Sequence, residues 1–398
     1  MPAVKLTVVM THPVQYFAPW FRYITAECPE IELTVLYATQ PTPQQQGASF
    51  GRPFVWDVPL LEGYRCRVVR PARPIDKVHS GSFRGVDVPE ICEAVCDSRP
   101  DVVLIAGWYS ITLLRTLWYC LRHKIPVLYR GDTNLGNSRT GLKKIVWAAR
   151  TWLLLRLFSG YLCVGERTRE YLRAFGLPPS RIFDAPHFVD NEFFAELAAP
   201  FQTSSGRVAA REYFGLSAHD FVVLFVGKLE PKKRPLDLFR AVANLGQGVS
   251  LLVVGSGELE EALREEAQAS AIKVSWAGFL NQTELGRAYA AANCLVLPSD
   301  WGETWGLVVN EALATGLPCV VSDRVGCAPD LIVPNVTGDI VPVGDPDSLA
   351  RALDSVRAGV RGGYDWDAAC RARVKAYSFE AATAGLLAAC HSLTPDRP

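Results

Sequence analysis

Short apolar runs alternate with longer stretches of helical periodicity along most of the chain. In the first half the runs fall at 6–10, 32–37, 102–106, 127–129 and 161–164. Between them, 111–122 and 143–158 repeat apolar positions at three- and four-residue spacing, which predicts helices. The runs are continuous rather than alternating, as in strands covered on both faces, and the strand–helix–strand order predicts βαβ units and a parallel sheet. Ala198-Ala199-Pro200 followed by Thr203-Ser204-Ser205-Gly206 breaks the pattern, so 196–207 reads as a linker. A second series begins at 221–226 and continues through 251–254, 294–297 and 319–321. The expectation is an α/β chain of two Rossmann-like doubly wound domains, 1–200 and 208–377, facing a central cleft. Ser378 caps a last helix, and the tail 378–398 could pack on either domain.

Composition narrows the function classes. Of 398 residues, 49% are apolar and 21% charged, which leaves ample material for a core. Lys and Arg number 41 and so do Asp and Glu, and that balance argues against a nucleic-acid binder, which carries a basic excess. Eleven scattered cysteines without a CxxC pair fit reduced thiols in a cytoplasm, not a disulfide framework or a zinc ribbon. The apolar stretch near the amino terminus is too short for a secretory signal, and no run of about 18 uncharged apolar residues predicts a membrane span.

The chemistry gathers in the second half. Gly227-Lys228-Leu229-Glu230-Pro231-Lys232-Lys233-Arg234-Pro235 follows the 221–226 strand. A loop there, at the carboxyl end of a parallel sheet and before a helix, is where anions bind, and its cations would counter a diphosphate. Taken alone, it is equally a solvated basic loop. Gly255-Ser256-Gly257 follows the next strand and allows close backbone approach, but Glu260 stands where a dinucleotide fingerprint needs glycine. A plain turn explains it as well. The third segment runs Pro298-Ser299-Asp300-Trp301-Gly302-Glu303-Thr304-Trp305-Gly306-Leu307-Val308-Val309-Asn310-Glu311. A helix beginning near Trp305 or Gly306 would leave Glu303 in the loop and set Glu311 roughly 7–8 Å further along. The amides of Trp305, Gly306 and Leu307 would then donate to phosphate oxygens between two carboxylates. That spacing suits a ligand with hydroxyls at both ends of a diphosphate, such as a nucleotide sugar.

These segments resemble the retaining two-Rossmann (GT-B) glycosyltransferases of family 4, which include sucrose- and glycogen-synthase-like and phosphatidylinositol mannosyltransferase-like enzymes. The family's Glu-x7-Glu motif matches Glu303 and Glu311, and its basic loop matches Gly227, Lys228, Leu229 and Lys233. Lys228 replaces an arginine and so keeps the charge without the bidentate fork. The segment 186–191 resembles the close of the first domain, and Thr337-Gly338 with 341–350 the end of the second. The resemblance implies a hexosyltransferase (EC 2.4) that needs neither metal nor cofactor. Its donor would be a nucleotide sugar, UDP-linked in preference to GDP-linked, and its acceptor a small molecule, glycan or lipid-linked hydroxyl. Lys228 and Lys233 would hold the diphosphate. Gly227, Gly255, Thr304, Trp305, Gly306 and Leu307 would line the donor. Glu303 would contact the sugar and Glu311 the ribose. A same-fold 2-epimerase and a silent binding module are the alternatives.

The first half departs from the family's common pattern. Its first turn reads Thr11-His12-Pro13, without the usual glycine pair, and Arg130-Gly131-Asp132-Thr133-Asn134 follows the 127–129 strand without a histidine. Asp132 and then His12 are the polar candidates near the sugar, although a loop or capping aspartate explains Asp132 equally. His123 and His187 read as structural, and Asp345-Pro346-Asp347 as a helix start rather than a metal motif. Lys143, Lys144, Arg150 and Arg156 interleave with bulky apolar residues. That mixture reads as a packed helix and also fits weak peripheral contact with a membrane.

Overall fold

The computed structural model describes residues 3–48, 51–71, 75, 82–136 and 140–395. The chain divides into two compact units, Met1–Ala48 with Arg52–Pro186 and Phe379–Pro398, and Ser49–Gly51 with His187–Ser378.

Among the described residues, the first unit is built on seven strands: β1 (Val4–Met10), β2 (Ile31–Tyr37), β3 (Cys66–Val68), β4 (Val102–Ala106), β5 (Val127–Gly131), β6 (Gly160–Cys163) and β7 (Ile182–Asp184). All pair in parallel, in the order β3-β2-β1-β4-β5-β6-β7. Val9, Ile105, Val127 and Tyr129 point into a core with Leu113 and Leu117 of the helix Ile111–Arg122. The order reverses between β1 and β4, which leaves a crevice at their carboxyl ends.

The tail belongs to this unit. The helix Phe379–Leu393 lies so close to β7 that a Cβ on Gly385 would stand 1.8 Å from the Asp184 carbonyl oxygen. Trp20 Nε1 donates to Thr383 Oγ1 at 2.9 Å in a buried contact.

The second unit holds six parallel strands: β8 (Phe221–Val226), β9 (Val249–Val254), β10 (Lys273–Gly278), β11 (Cys294–Leu297), β12 (Cys319–Ser322) and β13 (Gly338–Val341). Their order is β10-β9-β8-β11-β12-β13, with the reversal between β8 and β11. Val223, Phe225, Val253 and Val296 share its core with Leu238 and Val242.

The expected linker is helical. Asn191–Ala198, a short turn Ala199–Phe201 and Ser204–Tyr213 follow one another inside the second unit. Thr203 accepts from the Gly206 amide at 3.0 Å as an N-cap, so the Thr-Ser-Ser-Gly cluster starts a helix. Arg211 then fastens that helix to the Ala291, Ala218 and Asp220 carbonyls and to Asn293 Oδ1. None of the eleven cysteines, all of them among the described residues, is joined in a disulfide. Cys294, Cys319, Cys327 and Cys370 of the second unit are buried, whereas Cys96 of the first is exposed. Among the described residues, no helix is long and apolar enough to cross a membrane.

Candidate active site

Two loops leave the carboxyl ends of β8 and β11, the neighbours across the reversal of the second sheet. The β8 loop continues into a single turn, Pro231–Lys233, and the helix Pro235–Leu245. Leu229 is fully buried and anchors it. The Lys233 amine lies 3.8 Å from where a Gly227 Cβ would be, so it folds back over the end of the strand.

The β11 loop meets this turn. Asp300 N donates to Lys232 O at 2.9 Å, and Lys233 Nζ donates to Glu303 Oε2. The pair is nearly closed, with side-chain exposures of 12% and 14%. Ser299 Oγ reaches the same carboxylate oxygen at 3.4 Å, and Gly326 N donates to the Glu303 carbonyl at 3.1 Å. Two residues central to the diphosphate-and-sugar reading therefore neutralise one another. Lys228 is half-buried, and burial is the main influence lowering its pKa, with Lys232 and Lys233 adding to it.

Gly255 serves the fold as well as any ligand. A Cβ there would lie 1.9 Å from the Gly227 carbonyl oxygen, and one on Gly257 would lie 2.5 Å from that of Leu229. Leu229 N donates to Ser256 O, and Leu259 N to Leu229 O, each at 3.0 Å. The Gly-Ser-Gly turn is pressed against the basic loop.

The helix expected near Trp305 spans Leu307–Ala314, with Gly306 as N-cap at φ 100°. A Cβ on Gly306 would stand 2.8 Å from Leu297 Cδ2. The first turn of this helix carries its positive dipole end, and Val309 N there already donates to Gly306 O at 2.9 Å. Trp305 is buried, donating from Nε1 to Asn310 Oδ1 at 2.8 Å. Asn310 Nδ2 in turn donates to His187 O at 3.3 Å. His187 packs its ring 5.4 Å from that of Trp305. Glu311 is wholly enclosed, and the buried Tyr289 hydroxyl donates to its Oε2.

Asp132 and His12 belong to the first unit, whereas Lys228, Lys233, Glu303 and Glu311 belong to the second. His12 follows β1, and its Nδ1 lies 3.0 Å from Thr11 Oγ1. Its pKa is lowered by burial. Asp132 follows β5 and is partly exposed. The adjacent Arg130 is buried, donating to Ala185 O at 2.6 Å and Pro186 O at 3.0 Å, with Trp20 beneath it at 5.2 Å.

Both halves of the chain match known families. Residues 209–359 match glycosyl transferases group 1, and 31–193 match Glycosyltransferase Family 4. The chain belongs to these glycosyltransferases. A D-inositol 3-phosphate glycosyltransferase of Xylanimonas cellulosilytica is 25% identical over 83% of this chain and 84% of its own. One of the same name in Mycobacterium marinum is 35% identical, over 46% of this chain and 40% of its own. The sucrose-phosphate synthase of Thermosynechococcus elongatus shares the fold, with TM-score 0.72 and 18% identity over 99% of this chain and all of that one. So does Anabaena HepE in complex with UDP and glucose, with TM-score 0.72 and 14% identity over 98% and 100%.

In this glycosyltransferase the sequence pattern missed Tyr289, Asn310 and Ser299. Tyr289 lies among alanines in the helix Leu285–Ala291, where it carries only the signal of a core residue. Asn310 and Ser299 lie inside the third motif, but their partners become visible only once the chain is folded.

Proposed function

We propose that this glycosyltransferase moves a hexose from a nucleoside diphosphate to an acceptor hydroxyl in the cytoplasm, with retention at the anomeric carbon and without metal. The donor is a UDP-sugar in preference to a GDP-sugar. The contact between Lys233 and Glu303 carries this reading, since it sets a cation and a carboxylate together at the strand-order reversal. Retention follows the likeness to family 4, and HepE, whose structure holds UDP, supports the choice of base.

Negative charge grows on the leaving diphosphate as the glycosidic bond breaks. In this reading Lys228, Lys233 and the first turn of the 307–314 helix stabilise it, the electrostatic role expected at a departing anion. As the diphosphate takes up Lys233, Glu303 is released to the sugar hydroxyls. Glu311, oriented by Tyr289, serves the ribose end.

The test is turnover of UDP-sugars with and without acceptors, before and after chelator. Diphosphate release should be slow with donor alone and accelerate with acceptor, and chelator should leave the rate unchanged. Lys233→Ala should lower kcat/KM more than about tenfold. Acceptor-free conversion of donor to its 2-epimer, or a strict need for divalent metal, would overturn the proposal.

A further inference from the structure

The helix Gly141–Leu155 is apolar on two opposite faces. Its inner face is packed: Thr151 and Leu155 are buried, Trp147, Ala148 and Leu154 lie against the first unit's core, and the Trp147 ring meets Phe175 at 5.6 Å. On the other side Leu142, Ile145, Val146, Trp152 and Leu153 are 75%, 65%, 59%, 48% and 58% exposed. Their spacing confines them to a stripe about 120° wide, opposite the buried one. They make up five of the fourteen strongly exposed large apolar side chains among the described residues. Scattered singly such residues need no explanation, but gathered on one helix they mark a surface that meets something apolar.

Charge identifies what that is. No aspartate or glutamate occurs between Asp132 and Glu166, while Lys143, Lys144, Arg150 and Arg156 all do. All four basic residues are exposed. Arg156 stacks its guanidinium 3.8 Å from the ring centre of the exposed Trp152. A tryptophan beside an arginine suits the headgroup layer, where the ring is half immersed and the cation meets phosphate. A second copy of the chain fits poorly, because it would bring two acid-free basic faces together.

We propose that the 141–155 helix docks this protein on the surface of an anionic phospholipid bilayer, lying in the interface with its outer apolar stripe immersed. The proposal stands apart from the choice of sugar donor, and its test does not involve activity. The full chain is floated with vesicles of phosphatidylcholine alone and of equal parts phosphatidylcholine and phosphatidylglycerol. Binding is expected to the mixed vesicles, and to be at least about tenfold weaker to the neutral ones, with salt weakening it. Ile145→Asp with Leu153→Asp should reduce binding at least about tenfold, since two charges enter the immersed stripe. The melting temperature should be retained, because both side chains are exposed. Lys143→Ala with Lys144→Ala should cost about fivefold per lysine, on anionic vesicles only. The proposal is overturned if the wild-type chain fails to float. It is also overturned if both variants float as well as wild type, or if sedimentation shows a dimer that the aspartate variant dissociates while neither binds vesicles.

Discussion

Glu303 and Glu311 share a motif but not an environment, so their variants should separate. Removing the charge of Glu303 frees Lys233 for a diphosphate. Glu303→Gln is therefore expected to keep or tighten the affinity for free UDP in calorimetry while lowering kcat. Glu311 is closed in with Tyr289. Glu311→Gln is expected to weaken UDP and UDP-sugar alike, by about 1–3 kcal/mol. Equal losses of UDP affinity in both variants would show that these carboxylates are wrongly assigned. His12 supplies a pH signature. Its folded pKa lies below the unfolded value of 6.5, so as pH falls past that value the unfolded chain takes up a proton that the folded one refuses. Stability is thus lost on acidification, and His12→Gln should flatten that part of the curve of melting temperature against pH. The two glutamates and two lysines stood out in the sequence because spacing and position after strands carry chemical meaning. Tyr289 did not, because a buried tyrosine in an alanine-rich helix has the pattern of core packing whether or not its hydroxyl holds a carboxylate.

Elements were legible where burial is complete. β8 and β11 read as strands from the chain alone, since every side chain in them is buried and apolar. β10 begins with exposed Lys273 and β7 has three residues ending in Asp184, so neither shows an apolar run. The supposed linker failed for a different reason: Pro and Thr-Ser residues start helices as readily as they interrupt them. The tail's attachment was illegible because it depends on a residue with no side chain. Gly385 admits the Asp184 carbonyl, and an alanine there must push the 379–393 helix off β7. Gly385→Ala is expected to lower the melting temperature by about 5 °C, the scale of an overpacked contact in a domain this size. An unchanged melt would mean the helix does not seat as described.

At the scale of the whole molecule, each unit has its own parallel sheet and core, and the basic loop and both glutamates belong to the second. A nucleotide that binds only the folded second unit should stabilise it by about 2.7 kcal/mol at a concentration of about 100 Kd. Scanning calorimetry with UDP should accordingly raise a transition belonging to the second unit. Fragments cut between Pro186 and His187 would locate it, provided the first is supplied with residues 379–398. A rise confined to the first unit would move the diphosphate site away from Lys233.

The distribution of thiols gives this chain an internal clock. Alkylation requires a thiolate in contact with reagent, and burial pushes the Cys294 thiol up to about 12 and Cys319 well above the ordinary range. With Cys327 and Cys370 also buried, the second unit should be silent to iodoacetamide until it opens, whereas exposed Cys96 of the first should react at once. The labelling rate at those four positions, followed by peptide mass spectrometry, then measures how often the second unit unfolds. Saturating UDP should slow that rate and leave Cys96 untouched, so a single time course would show which half of the molecule a ligand holds shut.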